Sequence, residues 1–327
     1  YKIYWEDTKM EFSATAGTAG GSLKALFEVR DGDNLENFKG KVTKADSYSL
    51  TVENISIDNI KSLNLPDKDG KITVNNISYS YDSWEAQVDA QGNIKSVTFN
   101  LSKDKAIADP EKTVAEGYLL NAGSAINARG IPYYMTQLNE FVRNFSEMFN
   151  QIESKGQNLN GDTPPTFFEA ITNTAKVYDF SESEAYSKLP DGQTATINSS
   201  SNTYYRMTAA NFSVNKDVMN DVSLFATSTD YVKTDSCDIV DELKKLQSEK
   251  TVYRGDKAEA FLETIISNVS VDTEKAETYN KLYSNLEQTI ANQRTSVSGV
   301  DEDEEALNLV KFQYSYNMAS KIISVMN

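Results

Sequence analysis

The feature that most restricts the fold of this chain is the spacing of its apolar residues, which changes from two to three or four along the sequence. Between residues 41 and 101 apolar and polar residues alternate, at Tyr48, Leu50 and Val52, at Ile72 and Val74, and at Ile77, Tyr79 and Tyr81. Strict alternation is typical of strands with one buried face. Turn residues at 67–70 and 91–93 separate these runs. The segment predicts a small antiparallel β domain that ends before Ala115.

After Gly130 the spacing becomes that of a helix. Apolar residues recur three, four or seven positions apart, at Ile131, Leu138, Phe141, Phe145, Phe149 and Ile152. This spacing places them on one face of an α-helix. Pro132 fits the first turn of such a helix, and Gly156 is a suitable residue just past its end. We therefore expect a long amphipathic helix here.

Two further helical regions follow towards residue 327. The first begins near Asp256, a suitable N-cap, and Ser270 and Asp272 could hold a break within it. The second begins at Asp301, which together with Glu304 is close to a capping box. Its apolar residues alternate spacings of three and four, which is a heptad-like seam, at Leu309, Phe312, Tyr316, Ala319, Ile323 and Met326.

The region between these helices is polar and rich in Ser, Thr and Asn, with loop residues at 163–166 and 198–201. It predicts a second small β or irregular domain. Because helical stretches bracket the β material, we expect a multidomain α+β chain, in which a discontinuous, elongated α-helical bundle carries inserted small antiparallel β domains. The predicted bundle comprises residues 1–38, 129–156 and 234–327, and the predicted insertions are residues 39–128 and 157–233. We expect the 131–152 helix to cover the C-terminal seam.

Composition excludes several kinds of site. The chain has no His, which rules out a Ser-His-Asp triad, a His general base and a His-ligated metal. Its single Cys237 can form no internal disulfide. The net charge of −16 disfavours binding to nucleic acid and to anionic lipid, and no apolar run is long enough to span a bilayer. We expect no catalytic residue, no cofactor, no metal, no nucleic acid partner and no membrane insertion.

Several short segments stand out along the chain: GGSLKAL at 20–26 with VRD at 29–31, IPYY at 131–134 with QL at 137–138 and FN at 149–150, TAANFSVN at 208–215 with ATS at 226–228, and NQR at 292–294 with SGV at 298–300, DEE at 303–305, LV at 309–310, FQ at 312–313, Tyr316 and Ala319. In this order they resemble segments of flagellar axial proteins. These segments are spread between residues 20 and 319, and together they resemble the hook-associated protein 1 family. The sequence departs from many relatives at 39–129, where a β domain is expected.

The resemblance implies a non-catalytic structural subunit of the bacterial flagellum, which joins hook and filament by self-assembly. The implied partners are other copies of the chain, the hook protein, the second junction protein and an export chaperone. The implied location is extracellular, after export without a cleaved signal peptide. Because the sequence opens without Met and stops within the seam, we also expect a fragment that lacks the terminal polymerisation segments. The residues expected to support assembly are Leu309, Phe312, Tyr316, Ala319 and Ile323.

Two other classes of protein are compatible with the sequence. An extracellular adhesin or glycan-binding surface module would show an exposed groove lined by aromatic residues in the β domain, and Trp5 and Trp84 are candidates for it. A hydrolase would show an apolar cleft with converging carboxylates. The integrin-type tripeptide at 254–256 is more simply a loop followed by a helix cap, and the partial calcium-loop pattern at 67–70 is more simply a turn.

Overall fold

The computed structural model describes residues 6–7, 20–103, 106–110, 114, 116–123, 125–233, 235–250 and 253–326. The chain divides into two compact units, Tyr1–Ile265 and Ile266–Asn327. The described strands all belong to the first unit, and the described residues of the second unit are helical apart from the short segment at 299–301.

The described strands are β1 (Lys39–Asp46), β2 (Ser49–Glu53), β3 (Gly70–Val74), β4 (Ile77–Val88), β5 (Ile94–Leu101), β6 (Leu119–Ala122), β7 (Phe168–Ala170), β8 (Ala195–Asn198) and β9 (Phe212–Val214). The described α-helices are α1 (Gly21–Asp31), α2 (Ile131–Glu153), α3 (Ser183–Ser187), α4 (Lys216–Asn220), α5 (Asp238–Ser248), α6 (Ala258–Ser298) and α7 (Glu302–Met326). Short 3₁₀ turns lie at Asn34–Glu36, Ile60–Ser62, Tyr204–Arg206 and Val222–Leu224.

Six of the described strands close into an antiparallel barrel. The order around the barrel is β3-β6-β1-β2-β5-β4, and pairing of β3 with β4 completes the ring. Closure depends on the length of β4, which has 12 residues. Its first half pairs with β3, while its second half pairs with β5 along one edge and with β8 along the other. A closed barrel removes the unpaired strand edges of an open sheet.

The barrel interior is filled by one face of each strand, and a bulge in β4 keeps that face continuous. In the first half of β4, Tyr79 and Tyr81 are buried, whereas in the second half Trp84, Ala86 and Val88 are buried. The register shifts by one residue between Tyr81 and Ser83. Such an extra residue turns the following side chains over, so both halves of β4 face inward. The result is a single apolar core that includes Phe38, Leu50, Val52, Ile72, Val97, Phe99 and Leu120.

Helix α2 lies at the centre of the first unit and is buried on two sides. Its apolar stripe packs against Tyr253, Phe261 and Ile265 and against apolar residues of α5. Its opposite, polar side faces the barrel loops, and the buried residues there include Gln137, Asn139, Glu140, Arg143, Glu147 and Asn150. Asn139 donates to Asn64 and Arg143 to the carbonyl of Leu63, both in a barrel loop, while Arg143 also donates to the carbonyl of Met207 and Asn150 to that of Phe168 in β7. Helix α2 thus joins the barrel to the other helices of the unit.

The predicted fold, a helical bundle with inserted small β domains, is wrong. The main body is the closed barrel, and β8 joins it from the segment that was assigned to a second, separate insertion. The alternating residues of the first third of the chain supply enough apolar side chains to form a core of their own. The C-terminal seam is exposed rather than covered. Heptad spacing indicates that a helix needs a partner, but it does not place that partner in the same chain.

The starts of the helices agree with the sequence-based predictions better than the overall fold does. Helix α2 begins at Ile131 with proline in its first turn, as predicted. Helix α7 begins after Asp301, whose side chain accepts hydrogen bonds from the backbone N–H groups of Asp303 and Glu304 at 3.0 and 3.3 Å. The sequence left open either a break at 270–272 or one continuous helix; α6 is continuous there, and Ser270 donates to the carbonyl of Ile266 at 2.9 Å. No described helix combines the length and the apolar character that a bilayer crossing demands.

Candidate assembly surface

The candidate functional site is the surface of the helices in the second unit. Helix α6 begins in the first unit, where Phe261 and Ile265 are buried. From residue 266 to residue 326, by contrast, none of the described residues is buried. In proteins, most of the stability of a helix comes from packing of its apolar face. The second unit therefore presents helical surface that has no covering within the unit.

Helix α7 begins with a strong cap and then becomes almost free of charge. Its first turn contains four acidic residues, which suit the positive end of the helix dipole. After Glu305 the only charged residues are Lys311 and Lys321. In a chain with 48 acidic and 32 basic residues, this is a segment without negative charge. Copies of an acidic protein meet least repulsion at such a segment.

The five predicted seam residues all lie on one face of α7, and all are exposed. Phe312 is 74 % exposed and Tyr316 is 75 % exposed, and Leu309, Ala319 and Ile323 are also exposed. The structure thus brings the five residues together along one helix face. It does not bury them, so the expectation that they stabilise a bundle within the chain is wrong.

A second apolar stripe runs along α7 and was missed by the sequence reasoning. Its residues recur at spacings of three and four and are exposed as well: Leu307, Val310, Tyr314, Met318, Ile322 and Val325. At 3.6 residues per turn, the mean direction of this stripe lies roughly opposite the first. The signal was present in the sequence, but a search for a single seam overlooks it. A helix that is apolar on opposite faces is suited to burial on both sides.

The part of α6 in the second unit has a narrower apolar stripe. Tyr279, Leu282, Leu286 and Ile290 follow one another at spacings of three and four, and all are exposed. Tyr283 lies beside Tyr279, with ring centroids 6.3 Å apart. The opposite face carries charged residues, among them Glu277 and Lys281, and Glu287 lies at one edge of the stripe. This pattern suits burial against one partner helix, in contrast to the two-sided pattern of α7.

The aromatic groove expected of a glycan-binding module is not formed by the described barrel residues. Tyr79, Tyr81 and Trp84 point into the barrel and are buried. Trp84 packs edge-on against Tyr205 at 4.9 Å, and Tyr81 packs against Phe99 at 5.1 Å. Trp5 lies outside the described residues. The strand aromatics therefore serve packing.

The tripeptide at 254–256 forms a tight turn before α6, and its arginine is engaged within the chain. Arg254 and Gly255 have positive φ angles of 55° and 91°. The Arg254 guanidinium donates to both carboxylate oxygens of Glu36 at 2.7 and 2.9 Å and to Oε2 of Glu140 at 2.6 and 2.9 Å. These hydrogen bonds raise the pKa of Arg254 further above its ordinary value. An arginine held in this way is unavailable to a receptor in trans.

A polar cavity of about 730 Å³ lies beside this turn. Glu36, Asp58 and Glu140 are among its lining residues. Glu36 and Glu140 both form ion pairs with the Arg254 guanidinium. Within the described part of the chain, no cluster of His, Cys, Asp and Glu could hold a metal ion.

The fold and the exposed surface define a class of protein: a closed antiparallel barrel followed by helices that no described residue covers from 266 to 326. Comparison with the models of known protein families and with curated proteins found no match.

Proposed function

We propose that this chain is a structural subunit of the bacterial flagellum at the junction of hook and filament, and that it acts by self-assembly without catalysis. The observation that carries the proposal is the two-sided apolar surface of α7. The partners in this proposal are neighbouring copies of the chain, the hook protein, the second junction protein and, before export, a chaperone. Its place is outside the cell, reached without a cleaved signal peptide.

The exposed apolar side chains of α7 make association favourable. Burial of one Leu, Ile, Phe or Met side chain contributes about 1.5–3 kcal/mol. Helix α7 exposes eleven large apolar side chains: Leu307, Leu309, Val310, Phe312, Tyr314, Tyr316, Met318, Ile322, Ile323, Val325 and Met326. A contiguous exposed apolar surface of this kind marks an interaction site in soluble proteins. Its burial against partner helices would more than offset the loss of freedom on association.

Two opposite apolar faces favour an open or ring-shaped assembly over a simple dimer. A helix with one apolar seam can bury that seam against a single partner helix. A helix with two seams can contact one neighbour on each side, and repeated contacts of this head-to-tail type generate rings or helical layers. A junction between two helical filaments requires such a layer. The segments that resemble the hook-associated protein 1 family, among them 298–319, add support from the same part of the chain.

The proposal is tested by Phe312→Ala combined with Tyr316→Ala. Both side chains are exposed, so the melting temperature of the isolated chain should change little. Self-association, measured by sedimentation velocity over a range of concentrations, should weaken by about tenfold or more for each 1.4 kcal/mol of lost burial. In the source bacterium, cells with this double variant should shed filaments and lose swimming speed.

The matched control is Gln313→Ala combined with Asn317→Ala, which changes two polar residues of the same helix between the two stripes. The control should associate normally and support normal swimming. Filaments of normal length on cells that carry the aromatic double variant would refute the flagellar assignment. Unchanged sedimentation of the same variant would refute assembly through α7.

A further inference from the structure

A second candidate site lies in the first unit, remote in sequence from the helices of the second. A cavity of about 530 Å³ opens beside β7, the end of α2 and the segment 177–183. Its lining includes Glu169, Tyr178, Asp179, Phe180 and Tyr204. The described lining contains two carboxylates and no Lys or Arg. The cavity therefore combines negative charge with aromatic walls.

Glu169 is the least expected residue of this lining. It lies between Phe168 and Ala170, which both pack in an apolar cluster, so its side chain leaves the strand on the opposite face. Glu169 is only 6 % exposed, yet no described residue forms a hydrogen bond or an ion pair with its carboxylate. Its carboxylate oxygens are not among the described buried atoms that lack a partner, so they reach the space of the cavity. A ligand in the cavity would therefore contact this carboxylate directly.

The groups around Glu169 compensate its negative charge only in part. Burial raises the pKa of Glu169 above its ordinary value; Asp217 raises it further, and Lys216 opposes the shift. No ion pair within 4.0 Å joins Glu169 to Lys216 among the described residues. The second carboxylate, Asp179, is held at the cavity by hydrogen bonds from the backbone and hydroxyl of Ser181 at 2.9 and 2.7 Å.

The aromatic walls are rigid and suited to a cation with an aliphatic stem. Phe180 and Tyr204 stack with their ring centroids 4.3 Å apart. The Tyr204 hydroxyl accepts a hydrogen bond from Nδ2 of Asn150 at 2.8 Å, which fixes its ring. Tyr178 already holds the Arg206 guanidinium over its ring at 4.3 Å. Cations are attracted to aromatic faces, and methylene groups pack well against them.

We infer that this cavity binds an alkylammonium group, with the ammonium at Glu169 and the alkyl stem against Phe180 and Tyr204. The group would come from a lysine side chain of another protein or from a free aliphatic amine. The two carboxylates disfavour an anion, and a neutral alcohol would lack the positive charge that pairs with Glu169. This inference does not depend on the proposed flagellar role.

The test uses isothermal titration of the full chain with two cationic probes, n-hexylamine and N-acetyl-lysine methylamide. Their neutral counterparts are 1-hexanol and N-acetyl-norleucine methylamide. At least one ammonium probe should bind with a dissociation constant below about 10 mM, and its neutral counterpart should bind at least about tenfold more weakly. Binding of the lysine derivative alone would indicate a protein partner, and binding of hexylamine as well would indicate that the amine suffices.

Glu169→Gln should weaken binding of the ammonium probe by about tenfold or more and should leave the melting temperature equal or higher, since it removes a buried unpaired charge. The matched control is Glu85→Gln, which changes an exposed glutamate on β4 away from the cavity and should bind like the wild type. Absence of binding by both ammonium probes, equal binding of the neutral probes, or undiminished binding by Glu169→Gln would each overturn the inference.

Discussion

Arg143 lies in the interior of the first unit, and no described carboxylate forms an ion pair with it. Its Nε donates to the carbonyl of Met207 at 2.9 Å, and its Nη1 donates to the carbonyls of Lys61 and Leu63 at 2.8 and 2.6 Å. The guanidinium also lies over the Tyr205 ring at 4.6 Å. Burial lowers the pKa of Arg143 to about 10, which leaves it charged at neutral pH. One side chain thus fastens α2 to two loops beside the barrel.

Replacement of this arginine should be strongly destabilising. In Arg143→Met the three carbonyls would lose their donor, at a cost of about 1–3 kcal/mol for each one that stays buried. We expect the free energy of unfolding in urea to fall by several kcal/mol in total. The control Arg206→Met changes a guanidinium whose hydrogen bond to the Ser200 carbonyl is exposed, and it should cost less than about 1 kcal/mol. Similar losses in the two variants would contradict a central role for Arg143.

Glu153, at the end of α2, should make the stability of the first unit depend on pH. It is buried, and Oε1 accepts a long hydrogen bond of 3.4 Å from the backbone of Ala226, while Oε2 has no partner among the described residues. Burial raises its pKa from 4.5 to about 7. The unfolded chain then releases the proton at lower pH than the folded chain, so the stability contributed by the protonated group is lost as pH rises from about 4.5 to 7.

The variant Glu153→Gln removes this titration. Relative to the variant, the wild type should lose up to about 3 kcal/mol of unfolding free energy between pH 5 and pH 8, at about 1.4 kcal/mol per pKa unit. Urea unfolding at both pH values measures the difference. A difference between the two proteins that stays constant with pH would show that Glu153 does not titrate in this range.

At the scale of single elements, the barrel depends on a close approach between β3 and β4. Gly70 lies opposite Tyr81, and a Cβ atom at Gly70 would come within 2.1–2.5 Å of the Tyr81 ring. The ring is fully buried and cannot move aside without disturbing the core. Only a residue without a side chain fits this position. The glycine therefore sets how near the strand that completes the ring can lie.

Gly70→Ala should accordingly destabilise the barrel by about 1–3 kcal/mol or more, as overpacked cores do. Thermal unfolding followed by near-ultraviolet circular dichroism, which reports on Tyr81 and Trp84, measures the loss. Gly20→Ala is the matched control, because a Cβ atom there would meet nothing within 4 Å. An unchanged melting temperature for Gly70→Ala would mean that the close approach of Gly70 and Tyr81 is not required.

Local sequence patterns were enough to predict single helices and strands. They were not enough to predict which strands pair when those strands are distant in the sequence. Pro132 and Asp301 act on their own helix ends, so the starts of α2 and α7 were predictable. Closure of the barrel needs β3 beside β6, and β8 extends the sheet beside β4; no local pattern encodes these two pairs. Glu169 was equally hidden, because a single acidic residue between Phe168 and Ala170 predicts a solvent-facing position.

At the scale of the whole molecule, the first unit should fold without the second. Its core is complete within Tyr1–Ile265, and no described residue beyond Ile265 belongs to a buried cluster. A chain that ends at Ile265 should melt within a few degrees of the full chain. It should also be monomeric at concentrations where the full chain associates, as measured by sedimentation velocity. Retained association would place the assembly surface in the first unit.

The bulge in β4 makes the length of that strand more important than its composition. Asp82 is the extra residue between a half that buries odd-numbered side chains and a half that buries even-numbered ones. Deletion of any one residue there would turn Trp84, Ala86 and Val88 towards solvent, although almost every amino acid would be kept. The number of residues before and after the bulge therefore decides which side chains of β4 face the core. Point substitutions at 82 and 83 should be tolerated in evolution, whereas insertions and deletions should be eliminated.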